Sequence, residues 1–156
     1  KTASVVQGET VIPMDGILVD STSYIGVRGF EALGYQVTYT NTDGQQVSGY
    51  VVSDATKYSE ANKYLCFICG DQPYERIDNP NITDGSSCVV IKESYGNAFV
   101  PFLVNSYQTV HVVDYRYFSG NLVDLVKDNN IQDVIYVNNA NALIESAVKN
   151  MSRIIS

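Results

Sequence analysis

Cys88-Val89-Val90-Ile91-Lys92-Glu93-Ser94-Tyr95-Gly96-Asn97-Ala98-Phe99 is the stretch that decides the fold. Its first half is a short apolar run rich in β-branched residues, the signature of a strand buried on both faces. Its second half can open a helix. A serine at such a strand-to-helix turn lifts its hydroxyl above the carboxyl ends of the strands, beside backbone N–H groups that have no helical partner. That is the layout of a serine nucleophile with an oxyanion site next to it. The same position also suits an N-cap, where the hydroxyl only accepts from the following turn. Both readings of Ser94 stand at this level.

Downstream, the pattern repeats. Thr109-Val110-His111-Val112-Val113 reads as a strand ended by Asp114, Asn121 can cap a helix through about Asp128, and Val134-Ile135-Tyr136-Val137 reads as a third strand. A helix from Ala140 to about Met151 follows. A helix is expected over 95–104, short or kinked because of Pro101. Strands alternating with helices predict parallel βαβ units, and ligands on such sheets bind at the carboxyl ends of the strands. Ser94, Arg116 and Asn138 all fall just past those ends.

Upstream, residues 1–53 are rich in Thr, Val, Tyr, Gly and Ser, with short strands at Val11-Ile12 and Ile17-Leu18-Val19. Asn41-Thr42-Asp43-Gly44 is a turn signal between two alternating runs, so 35–52 reads as a β-hairpin. Residues 54–87 connect: a short helix or loop, a buried strand at Tyr64-Leu65-Cys66-Phe67-Ile68-Cys69, then a loop over 71–87 marked by Pro73, Pro80 and Gly85. The expected architecture is an α/β domain of 156 residues with a β-rich part (1–53), a connecting part (54–87) and an α/β core (88–156).

Composition narrows the partners. A net charge of −7, with ten Lys and Arg and no basic cluster, argues against nucleic acid. No apolar run is long enough to span a membrane. Twelve Tyr with no Trp allow a glycan partner, since tyrosine stacks on sugar rings and hydrogen bonds at its tip; they also serve as ordinary strand residues. Cys66 and Cys69 form a C-x-x-C, but no second ligand pair exists for a metal, and the odd count of three favours buried free thiols. No metal site and no organic cofactor are implied. Opening on Lys1, the chain reads as a processed or truncated piece of a longer protein.

The 90–103 stretch resembles the carboxyl-terminal half of the DHHW family, bacterial envelope proteins related to the SGNH hydrolases and alginate O-acetyltransferases. The likeness continues through Val110–Phe118 and Asp133–Val137, and upstream through Lys63-Tyr64, Gly70-Asp71-Gln72-Pro73 and Ile77. It implies an SGNH-like parallel sheet in an incomplete domain, and a Ser-His-Asp hydrolase or acyltransferase in which Ser94 matches the family serine. The acidic residue before it, usually Asp, is Glu93 here. The related enzymes take Asp and His from an Asp-x-His or Asp-His-His-Trp motif, which this chain lacks. The resemblance therefore implies chemistry on envelope carbohydrate esters, a cell-wall or exopolysaccharide glycan as partner, an extracellular or envelope location, and a base supplied by an upstream segment or a second chain. It makes the chain inactive alone.

Candidate roles follow residue by residue. The N–H of Ser94 or Tyr95, with Asn97 or one of Asn138, Asn139 and Asn141, would stabilise an oxyanion; the three late asparagines serve equally as helix caps. Arg116 would orient substrate by a two-pronged contact or pair with Asp114. His111, the one histidine, sits inside an apolar strand and reads as a sheet residue rather than a base. The rival to an enzyme is a non-catalytic carbohydrate- or protein-binding module with Ser94 kept as a cap.

Overall fold

A computed structural model describes residues 2–7, 10–18, 24–26 and 36–156, with side chains from residue 37 on and Asn141's excepted. Near the amino terminus, β1 (Thr2–Gln7), β2 (Thr10–Leu18) and β3 (Tyr24–Gly26) form an antiparallel sheet in the order β1-β2-β3. The two short strands expected at 11–12 and 17–19 are one continuous strand, β2, as far as Leu18; Val19 lies outside the described residues.

The main body is one mixed six-stranded sheet with a few helices, an α/β fold. Its strands are β4 (Gln36–Thr40), β5 (Gln46–Tyr50), β6 (Tyr74–Asp78), β7 (Ser87–Lys92), β8 (Thr109–Asp114) and β9 (Asp133–Val137), in the order β5-β4-β6-β8-β7-β9. The hairpin β4–β5 turns where Asn41 accepts from the N–H groups of Asp43 and Gln45, with Gly44 at φ +78°. Asn mimics a backbone turn, and glycine takes the left-handed residue at no steric cost.

The expected strands at 88–92, 109–113 and 133–137 are β7, β8 and β9, and β7 pairs parallel with both neighbours. Every residue of β7 is buried, as a strand covered on both faces requires. The sheet is mixed because β6 lies antiparallel between β8 and β4. Residues 71–87 are thus not all loop. β6 escapes a reading by hydrophobic alternation because its two buried members are Glu75 and Ile77, and one of them is a carboxylate.

Side chains alternate between two cores. Val89, Ile91, Val113 and Tyr115 point to a face closed by helices α1 (Leu122–Asp128) and α2 (Glu145–Ile155) through Leu122 and Ile154. Asn121 caps α1 as expected, accepting from the Val123 and Asp124 N–H groups at 2.8 and 3.1 Å. Cys88, Val90, Val110 and Val112 point to the other face, packed by Val51, Val52, Cys66, Ile68 and Val100. Among the described residues, that face carries 3-10 helices rather than a long α-helix. The helix expected over 95–104 is two short 3-10 helices, Ser94–Ala98 and Val100–Leu103, with Pro101 in the first turn of the second, where a missing N–H costs nothing.

The strand expected at 64–69 is replaced. Glu60–Cys66 is a 3-10 helix, and only Phe67 makes an isolated bridge, to Val52. Ile68, Cys69 and Gly70 then follow in the left-handed region, at φ +42°, +62° and +86°. A β-branched residue there is an outlier. All three cysteines are free: Cys66 and Cys88 are buried and Cys69 is half-buried. Burial pushes their thiols up, to about 11 for Cys66 and about 12 for Cys69 and Cys88, so they stay protonated and unreactive.

Candidate active site

The last residues of β7 and β8 are paired in register, Lys92 beside Asp114. Both side chains point to the face that holds Cys88, Val90, Val110 and Val112, and both are fully buried. Lys92 Nζ lies 3.1 Å from Asp114 Oδ2. Two residues on, Arg116 turns back and grips the same carboxylate with two prongs, Nε to Oδ1 at 2.9 Å and Nη2 to Oδ2 at 2.6 Å. The expected Arg116–Asp114 pair exists, but its carboxylate is a core group rather than a surface one. Guanidinium and carboxylate match each other in shape, so such a fork fixes orientation as well as charge. The Asp114 bonds raise the Arg116 pKa, leaving it a permanent cation.

Over these cations sits Asp71, delivered by the three left-handed residues before it. Its Oδ1 accepts from Asn97 Nδ2 at 2.8 Å and faces Lys92 Nζ at 3.5 Å. Its Oδ2 accepts from Ser94 Oγ at 2.7 Å and meets Arg116 Nη2 at 3.0 Å. Burial pushes this carboxyl up, but the Ser94 bond, Lys92, Asn97 and Arg116 outweigh it and hold it below the usual range. Beneath lies Glu75, fully buried on the same face, with no hydrogen-bond partner for either oxygen. Burial raises it well above the usual carboxylate range, Lys92 opposes, and Asp114 and Asp71 reinforce the rise. Burial thus favours the neutral acid at Glu75, beneath the cations Lys92 and Arg116 and the carboxylates Asp71 and Asp114.

Ser94 is half-buried and is not the cap. Glu93 caps the 3-10 turn by accepting from the Tyr95 N–H, which leaves the serine hydroxyl to donate to Asp71. The backbone of Ser94 is pinned by Tyr64, whose hydroxyl donates to the Ser94 carbonyl and accepts from the Ala98 N–H at 3.3 Å.

The other candidates are dispersed. Asn97 is fully buried and turned to Asp71. The Tyr95 N–H is taken by Glu93, and the Tyr95 side chain is exposed. Asn138 donates to the Ile91 carbonyl at 3.4 Å, while its Oδ1 is buried without a partner. The Asn139 N–H donates to Glu93 Oε1 at 3.2 Å. The Asn141 side chain lies outside the described residues. Arg116 and Asn139 line a cleft of about 220 Å³ at the carboxyl edge, together with Glu93, Tyr115 and Ala142. Ser94 is outside that lining; its chain neighbour Glu93 belongs to it, and its hydroxyl reaches it through Asp71 and Arg116.

His111 lies on the opposite face of the sheet, with Val89 and Val113, and its Nδ1 is 2.8 Å from the Tyr74 hydroxyl. Strand alternation alone puts it across the sheet from Lys92 and Asp114. Burial lowers its pKa to about 4, with Arg76 adding to the drop and Asp78 opposing. It is a neutral core residue, as its strand setting suggested.

Asp71, Lys92 and Glu75 are the site residues that sequence reading misses. Gly70-Asp71 looks like turn chemistry, and Lys92 looks like a strand end reaching water. The one available signal is that Asp71 and Lys92 fall within the stretches that carry the family resemblance, whereas Glu75 falls outside them.

A family model described as DHHW protein matches residues 27–113, more than half of the chain. Among solved structures, a DHHW family protein from Eubacterium siraeum is 30% identical with a TM-score of 0.67, over 78% of this chain and 41% of that one. Bacillus cereus PatB1 with a sulfonyl adduct is 24% identical with a TM-score of 0.63, over 81% of this chain and 42% of that one. PatB1 in a second structure is 22% identical with a TM-score of 0.63, over 92% and 47%. The chain thus spans less than half the length of these structures. No curated protein matches significantly.

Proposed function

Because the chain belongs to the DHHW family, we propose that it is part of an SGNH-like serine hydrolase or O-acetyltransferase acting on carbohydrate esters of the bacterial envelope. Ser94 is the nucleophile. Its Oγ attacks the acyl carbon, the C–O bond to the sugar breaks, and the sugar oxygen leaves with the proton that the base took from Ser94. Water or a second alcohol then takes the acyl group from the serine. Asn97 supplies the amide donor for the oxyanion, since the Tyr95 N–H is committed to Glu93. Arg116, a fixed cation at the mouth of the cleft, orients the substrate.

The observation that carries this reading is the placement of Ser94. It stands two residues past the end of a fully buried parallel strand, is freed from capping by Glu93, and lies within one hydrogen bond of a network that also holds Asn97 and Arg116. Its base is not here. Asp71 is the only titratable group bonded to its hydroxyl among the described residues. The Ser94 bond itself, with Lys92, Asn97 and Arg116, lowers the Asp71 carboxyl below the usual range, which makes it a weaker acceptor for a serine proton than an ordinary carboxylate. The base comes from another segment or chain.

The test is mass analysis of the Ser94 peptide after incubation with a small acetyl ester, with and without imidazole as an external base. Acetylation of Ser94 that requires imidazole, and is lost in Ser94→Ala, is the expected result. Fast turnover without imidazole that Ser94→Ala abolishes would refute the missing base. No acetylation under either condition would remove Ser94 as nucleophile and leave a non-catalytic binding module.

A further inference from the structure

The Asp71 carboxylate has the contacts of a bound ligand. Each oxygen takes its own pair of donors: Asn97 at 2.8 Å and Lys92 at 3.5 Å on Oδ1, Ser94 at 2.7 Å and Arg116 at 3.0 Å on Oδ2. Two of those donors, Lys92 and Asn97, have no solvent exposure, so the floor of the receptor is built into the core, while Ser94, Arg116 and the guest itself are partly exposed. A two-oxygen anion with donors on both atoms is the shape of a carboxylate.

Backbone geometry says that this guest is held there at a cost. Ile68, Cys69 and Gly70, all left-handed, deliver Asp71 to the donors. A left-handed conformation brings the Cβ of a non-glycine residue against its own backbone, and here Ile68 and Cys69 both bear that strain. The segment is anchored on either side, by the Ile68 N–H to the Val51 carbonyl at 2.8 Å and by the Asp114 N–H to the Pro73 carbonyl at 3.3 Å. Between these anchors, the four contacts of Asp71 offset the strain.

We propose that Ser94, Asn97, Lys92 and Arg116 form a binding site for a small carboxylate or the carbonyl end of an acyl group, and that Asp71 is its chain-borne occupant, displaced when the 68–71 segment lifts. This deepens the acyl-transfer reading and rests on it for the chemistry of the ligand. Acetate is then both the smallest ligand of the site and the product of ester hydrolysis. With Asp71 in place, the serine hydroxyl is spent on a carboxylate and the donors for an oxyanion are filled. With Asp71 withdrawn, the excess cation, one serine hydroxyl and one amide all face an empty place the size of an acetate.

Sodium acetate is the probe, titrated against sodium chloride at matched ionic strength and read from the amide signals of Ser94, Gly96 and Asn97. In Asp71→Ala, acetate should give saturable shifts and bind at least about tenfold tighter than to the unaltered chain, where a tethered carboxylate competes at high effective concentration. Asp71→Asn keeps the place filled with a neutral group and should show no such gain. Asp71→Ala with Asn97→Ala should lose it again. Shifts in Asp71→Ala no different from those with chloride would overturn the proposal, as would equal acetate binding by Asp71→Asn. Should Asp71→Ala fail to fold in chloride, acetate must restore its dispersed spectrum, and failure to do so overturns the proposal equally. Acetate binding without any acetylation of Ser94 would sink only the nucleophile. Acetylation of Ser94 without acetate binding by Asp71→Ala would sink only the displaced-carboxylate site.

Discussion

Gly96 has no side chain because Lys92 occupies the space where one would stand: a Cβ at Gly96 would collide with the Lys92 Cβ and crowd its Cγ. Neither can move freely, since Lys92 is buried and its Nζ is tied to Asp114 and Asp71. Gly96→Ala should therefore destabilise the fold by about 1–3 kcal/mol through overpacking, read from urea denaturation. Lys92→Met is a separate case. It keeps most of the volume and deletes the charge, leaving Asp114 with Arg116 alone and Asp71 with a weakened hold. Breaking a buried pair from one side costs about 3–5 kcal/mol, and the retained Arg116 fork places the expected loss at the low end. A loss below 1 kcal/mol would show that Lys92 is no part of the clamp. At this scale the placement of Ser94 and Arg116 just past the carboxyl ends of two strands was legible, because the apolar runs of β7 and β8 announce those ends. Asp71 was not. It meets Ser94 across 23 residues of chain, and no local pattern records that contact.

Among the elements, β7, β8 and β9 were legible from their apolar β-branched runs: β7 and β8 are buried along nearly their whole length, and β9, at the sheet edge and partly exposed, carries the same kind of run. The β6 strand has the opposite character. It needs a carboxylate inward at Glu75, so its alternation is masked by the very residue that belongs to the site. The segment 64–69 misled in the other direction. Its apolar residues fill the core from a 3-10 helix and a left-handed run, and burial alone does not distinguish those from a strand. Where a local rule has no tertiary rival, it holds. Asn121 caps α1 with two backbone donors, and Asn121→Ala should cost about 1 kcal/mol, measured as a shift in the urea midpoint with an unchanged slope. A neutral result would place the stability of α1 wholly in its packing against Val89 and Ile154.

For the whole molecule, two buried groups on opposite faces of one sheet pull the pH dependence in opposite directions. His111 is neutral in the fold, with its pKa lowered to about 4 by burial. Between about pH 4 and its ordinary value near 6.5, the unfolded chain binds the proton that the folded chain refuses, so stability rises with pH across that window. Acidification from pH 7 to pH 5 should remove about 2 kcal/mol on this account. Glu75 works the other way. Its folded pKa is raised well above the ordinary carboxylate range, so above that range the folded chain keeps a proton that the unfolded chain gives up, and stability falls as pH rises. In the unaltered chain the two oppose each other above the ordinary carboxylate range, so a rise with pH shallower than His111 alone would give is the expected result. Glu75→Gln separates them. The amide has the shape of the neutral acid and does not titrate, so the variant should gain on the unaltered chain as pH rises and should expose the His111 slope. Unfolding free energies of both proteins at pH 5, 6, 7 and 8 decide it. If the difference between them stays constant with pH, Glu75 is ionised in the fold, and the charge balance of Lys92, Arg116, Asp71 and Asp114 has to be redrawn with a third anion beneath Ser94.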